Sequence, residues 1–206
     1  MPKLAIRQRN FRVTDFAVNA ALTDPKCARK YEREYAGFVG WSFDAQADSK
    51  VFDGECWSPR FYCESFLPPL SDWEALDGLM FENDYDADRT DTIVRNPCVL
   101  YLFGHDPIGP STFRFSRTKK RTPEFKMTVQ GLCNPHWDEA YGSDVPFSFD
   151  AGFVFAGIRV VSHTVETATE LLAQHIKVDN LTAGKKTDTE TRFNKEIGSF
   201  LFAPTK

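Results

Sequence analysis

Apolar and polar positions alternate along much of the chain, and helical spacing appears in only a few short stretches. Residues 3 to 13 place Leu4, Ile6 and Val13 among arginines, which predicts an N-terminal strand. A helix over residues 25–36 is predicted next. Thr23 or Asp24 would cap it, Pro25 suits its first position, Gly37 stands past its end, and Cys27, Tyr31 and Tyr35 recur every four residues. From Phe38 to Cys63 the runs FVGWSF, KVFDGECW and RFYCESF, broken at Asp53-Gly54 and Pro59, predict short antiparallel strands. Pro68-Pro69 closes this stretch. Ser71 would then cap a short helix carrying Trp73, Leu76, Leu79 and Met80.

The second half reads mostly as strands: TIV, CVLYLF, STFRFS, FKMTVQGL and an apolar run from Val145 to Val161. Within that run Phe147, Phe149, Phe153 and Phe155 share parity, which puts four rings on one face of an extended segment; Gly152 and Gly157 mark places where it would bend or divide. Thr164 caps a further predicted helix, with Glu166 in its first turn and Val165, Ala168, Leu171, Leu172 and Ile176 spaced for burial. Residues 177–196 are polar and lead to a last strand, IGSFLF.

Composition sharpens this picture at one point. The 206 residues include 19 Phe, and aromatics make up 14%; such rings favour half-buried pleated surfaces. The expectation is a single α+β domain over residues 1–206, with a mainly antiparallel, curved sheet whose Phe-rich face is packed by about three helices. No apolar run is long enough to cross a bilayer as a helix, and Lys3, Arg7, Arg9 and Arg12 stand where a signal peptide needs an apolar core. Five scattered cysteines, an odd number, read as reduced thiols of a cytoplasmic protein.

Charge is unevenly spread. Residues 1–40 carry net +4, 41–110 net −10, 111–135 net +5 and 136–206 net −3. The acidic excess peaks at Asp72, Glu74, Asp77, Glu82, Asp84, Asp86, Asp88 and Asp91, which face only Arg89. Crowded carboxylates repel one another, and a cationic partner relieves that repulsion. Calcium does not fit the spacing: counted from Asp84, Arg89 occupies the position where an EF-hand loop needs Gly, and Arg95 that of the bidentate Glu. The basic counterpart, Arg114, Arg117, Lys119, Lys120, Arg121 and Lys126, is interleaved with Phe113, Phe115 and Phe125. Cations among aromatics suit single-stranded nucleic acid, although the same alternation places the rings in the core and makes TKKRTP a hairpin turn.

Phosphate-binding glycine loops, nucleophile elbows, paired Cys-x-x-Cys knuckles and His-Glu-x-x-His are missing from the sequence. One metal-binding pattern remains. His136, Asp138 and the distal His163 have the make-up of the facial triad that holds Fe(II) in non-haem oxygenases, and QGLCNPHWD and VVSHTV resemble that class. The gap from Asp138 to His163 is short for such barrels, and no Arg or Lys follows His163 closely enough to hold a 2-oxoglutarate carboxylate. The expected function is a non-catalytic protein-binding module, an acidic inhibitor or immunity-type protein that docks a basic partner through the Asp72–Asp91 segment. An Fe(II)-dependent oxygenase of the 2-oxoglutarate type is the alternative.

Overall fold

The structure, a computed structural model, describes residues 1–28, 36–64, 70–83, 98–134, 142–188 and 197–205. Two compact units emerge: residues 1–18, 42–66 and 76–154 form one, and 19–41, 67–75 and 155–206 the other.

The first unit is a barrel. Its strands are β1 (Lys3–Ile6), β2 (Arg9–Thr23, which also runs into the second unit), β3 (Gly40–Ala47), β6 (Arg60–Cys63), β8 (Val99–Tyr101), β9 (His105–Arg117), β10 (Glu124–Cys133) and β11 (Val145–Val154). They pair in the order β1-β11-β10-β9-β8-β6-β3-β2, and β1 then pairs β2, so the eight strands close into an antiparallel ring. β7 (Met80–Asn83) lies along the second half of β9, and β4 (Lys50–Phe52) with β5 (Glu55–Trp57) makes a separate hairpin. That hairpin turns at Asp53 and Gly54, both at positive φ (53° and 86°), as a two-residue turn twisted to match its strands requires.

Eight strands leave an interior that side chains can fill, and here it is filled with rings. One layer is read directly from the register: Phe81 opposite Phe113, Phe113 opposite Val129, Val129 opposite Phe149, Phe149 opposite Leu4, and Leu4 opposite Phe11. Phe61 lies among Phe43, Phe113, Phe147 and Phe149, with ring centroids 4.8 to 6.4 Å away. Along β2 the buried positions change parity after Thr14 and Asp15, both exposed, so Phe11 and Val13 precede a shift that turns Phe16 and Val18 inward. An extra residue in the pleat, a bulge, produces such a switch.

In the second unit β12 (Ile158–Ser162) runs parallel to the end of β2 and antiparallel to β14 (Gly198–Pro204), which pairs β13 (Leu181–Asp188). Helix α1 (Val165–Ala173) buries Ala168 and Leu172, and Phe155 stacks between Trp41 and Trp73 at 5.3 and 5.5 Å.

The α+β expectation with about three covering helices is therefore overturned. α1 is the one α-helix among the described residues, and the Phe-rich face is buried by closure of the sheet upon itself, which leaves nothing there for helices to cover. Where a helix was expected after Ser71, only a 3-10 turn forms over Trp73–Leu76. Backbone bonds from Gly78 N–H to the Phe115 carbonyl and from Phe115 N–H to the Leu79 carbonyl draw the remainder into β7. Of the helix expected over 25–36, residues 25–28 form turns: Asp24 accepts from the Lys26 N–H through its side chain and from the Cys27 and Ala28 N–H groups through its carbonyl. Residues 29–35 lie outside the described set. The four-ring run also divides: Phe147, Phe149 and Phe153 point into the barrel, β11 ends at Val154, and Phe155 belongs to the second unit.

Candidate functional site

The rings of the barrel interior are buried, and the polar side chains of its strands stand on the outer wall. There, inward positions alternate with polar ones, and the outward residues of β3, β6, β8 and β9 form one cluster. The register places Asp44 opposite Tyr62, Arg60 opposite Tyr101 and Tyr101 opposite His105. Arg60 grips Asp44 with both ends of its fork, Nε to Oδ1 at 2.8 Å and Nη2 to Oδ2 at 2.5 Å. Its guanidinium also stands 5.0 Å from the Tyr62 ring centroid. The Tyr62 hydroxyl meets His105 Nδ1 at 2.7 Å, and the His105 ring is 4.9 Å from that of Tyr101.

Electrostatics within the cluster pull in two directions. The hydrogen bond to Asp44 raises the Arg60 pKa, which keeps the guanidinium charged. Burial raises the Tyr62 pKa; Arg60 opposes that shift, while Glu64, Asp44 and Tyr101 add to it. The net effect is a tyrosine held neutral and able to act as donor or acceptor, flanked by an ion pair and an imidazole. Tyrosine and arginine, rigid or pre-organised by packing, are the side chains that most often carry interface energy.

The acidic set divides. Asp72 accepts the Glu74 N–H, an internal cap of the 3-10 turn. Asp77 accepts the Arg117 N–H at 2.9 Å and stands 3.6 Å from its guanidinium, so it serves the β7–β9 seam. Glu74 is exposed in the second unit, and Glu82 is exposed on β7 opposite Thr112, in the first. Asp84, Asp86, Asp88 and Asp91 lie outside the described residues.

The basic hairpin is partly neutralised by its own carboxylates. Lys119 pairs with Glu124 at 3.0 Å, Lys126 with Asp150 at 2.7 Å, and Arg117 with Asp77. Phe113, Phe115 and Phe125 are buried in the barrel, so these three rings offer no stacking platform beside Arg114, Lys120 and Arg121. His136 and Asp138 lie outside the described residues, and His163 is exposed in the turn between β12 and α1. Among the described residues no group of three His, Cys, Asp or Glu side chains is placed to hold a metal ion, and no helix is long and apolar enough to cross a membrane.

Sequence reasoning missed the Asp44–Arg60–Tyr62–Tyr101–His105 cluster. Parity in RFYC already turned Arg60 and Tyr62 to one face, but only the register of β8 between β6 and β9 brings His105 to them. No protein-family model matches the chain, and no curated protein or solved structure is significantly similar to it.

Proposed function

We propose that this protein is a non-catalytic protein-binding module, an acidic inhibitor or immunity-type protein that meets a basic partner on the outside of its barrel. The observation that carries the reading is the division of labour between the two sides of the barrel wall. The inside is occupied by interlocked rings, whereas the outside of the first unit presents Tyr62, Tyr101, His105 and Arg60, together with Glu82 on β7.

Charge gives the partner's sign. In the net −10 block, Asp44, Asp48, Asp53 and Asp77 are matched to cations of this chain, while Glu82 heads a run in which Asp84, Asp86, Asp88 and Asp91 are opposed only by Arg89. Cations supplied by a partner would relieve that excess and steer its approach. None of the five cysteines is in a disulfide, which suits a reducing compartment, the cytoplasm.

The test is binding of a lysine-rich cationic peptide to the wild-type chain and to a variant with Glu82→Lys, Asp84→Lys, Asp86→Lys and Asp88→Lys. Charge reversal is expected to weaken binding by about tenfold or more, and wild-type binding should fall steeply as salt shortens the Debye length from about 10 Å toward 3 Å. Binding unchanged by both treatments removes the reading. Stoichiometric iron in the purified protein, lost on His136→Ala, would overturn this reading in favour of the oxygenase alternative built on His136, Asp138 and His163.

A further inference from the structure

The seam between β6 and β8 is short, with three residue pairs: Arg60 with Tyr101, Phe61 with Leu100, and Tyr62 with Val99. β8 begins at Val99, and continuing the register one step past its last pair sets Cys98, just before β8, against Cys63, the last residue of β6. Both residues are almost wholly buried, at 1% and 0% exposure, and their thiols are near enough for Cys63 to help raise the Cys98 pKa. Directly opposed residues of an antiparallel pair have Cα atoms about 4.5 or 5.5 Å apart, depending on the type of pair. Both separations fall inside the range of about 4.4 to 6.8 Å that a disulfide spans. Cys98 is also anchored from its other side, because its carbonyl accepts the Ile108 N–H at 2.9 Å.

We propose that Cys63 and Cys98 form a redox-active dithiol that closes to a disulfide across the β6–β8 seam, with a low-molecular-weight disulfide such as oxidised glutathione as oxidant. On a local opening of the seam, one cysteine as its thiolate attacks a sulfur of the oxidant. The oxidant's S–S bond breaks, one glutathione thiolate leaves and takes up a proton, and a mixed disulfide remains. The second cysteine, as its thiolate, then attacks the protein sulfur of that mixed disulfide and expels the second glutathione. Two protein thiols are oxidised and one glutathione disulfide is reduced to two thiols, so atoms and electrons balance.

Burial, together with the Cys63 thiol, pushes the Cys98 thiol well above the ordinary range. The thiol form is inert, so the pair resists casual oxidation and reacts when the seam opens or when pH rises. The cross-link would tie together the two ends of residues 64–97, the stretch that contains the acidic run, and would fix the barrel wall at a seam of only three residue pairs. Cys133 is buried in a different setting, its thiol donating to the Val145 carbonyl at 3.4 Å, and Cys56 is exposed.

The experiment treats the full chain and its Cys56→Ser variant with oxidised glutathione, with mild warming to open the seam. The variant is expected to become lighter by two hydrogens and to yield a linked peptide pair containing Cys63 and Cys98. It should also melt about 6 °C or more higher, with all three changes reversed by dithiothreitol. In the Cys98→Ser variant the mixed disulfide is expected to persist on Cys63. Two results overturn the proposal: Cys63 and Cys98 still alkylated as free thiols after Cys56 of the wild-type chain is fully glutathionylated, or either of them linked to a different cysteine.

Discussion

The phenolic oxygen of Tyr62 lies 2.7 Å from Nδ1 of His105, a hydrogen bond between β6 and β9 made across the strand that separates them. The pairing ties the outer wall together where the β6–β8 seam is short. Burial raises the Tyr62 pKa above the ordinary tyrosine value of about 10. A raised folded-state value means that the neutral phenol stabilises the fold below the unfolded-state pKa, and that this contribution is lost as pH climbs through the folded one. Unfolding free energies measured from neutral to strongly alkaline pH should fall along a limb that Tyr62→Phe lacks. Parallel curves for the two proteins would show that the phenol does not titrate as described.

Phe61 is the centre of the barrel's ring cluster, fully buried and in contact with rings from β3, β9 and β11. Phe61→Ala should lower stability by about 3–5 kcal/mol, and Phe61→Leu by clearly less, since most of the volume is kept. Urea unfolding midpoints at a shared m-value decide this. A loss below about 1 kcal/mol for the alanine variant would mean that neighbouring strands collapse into the space.

How much of this was legible beforehand depended on range. The Thr164 cap is local chemistry: its side chain accepts the Thr167 N–H at 3.2 Å, and the helix begins where the pattern put it. Parity correctly turned Phe147, Phe149 and Phe153 to one side. Closure was not legible, because it depends on β1 pairing both its neighbour β2 and the distant β11, a relation no local window contains. Parity counted past Val154 also put Phe155 on the face of the β11 rings, whereas it lies in the break between β11 and β12 that Gly157 flagged. The acidic residues looked equivalent by charge, yet Asp77 and Asp72 are occupied with N–H groups that only the folded backbone brings to them.

Gly157 adopts φ +123°, and a Cβ there would run into the Phe202 carbonyl of β14. The conformation suits glycine alone, and the obstacle is backbone, which cannot rotate away. Gly157→Ala is expected to destabilise the second unit by roughly 1–3 kcal/mol or more. Hydrogen exchange should show faster opening of the β12 and β14 amides; exchange unchanged from wild type would contradict the strain.

Asp77 separates the carboxylates that build the fold from those left for a partner. Arg117 is nearly buried, with its side chain 10% exposed beside an Asp77 carboxylate that is 50% exposed. That carboxylate accepts the Arg117 backbone N–H as well as facing the guanidinium. The guanidinium is further held by the Thr122 carbonyl at 2.6 Å and stands 4.8 Å from the Phe125 ring centroid, so the cation has support beyond the ion pair. Removing the carboxylate leaves an N–H without its acceptor, and such a loss costs about 1–3 kcal/mol when the site is buried and less as water reaches it. Asp77→Ala should therefore lower the unfolding midpoint by an amount that shrinks at high salt only in its ion-pair part, while binding of a cationic peptide stays at the wild-type level. Glu82→Lys should do the reverse, weakening binding with little effect on stability, because Glu82 is exposed on the outer side of β7. If Asp77→Ala were to abolish binding while leaving the melting temperature untouched, the carboxylate would belong to the docking surface and its bond to Arg117 would be incidental.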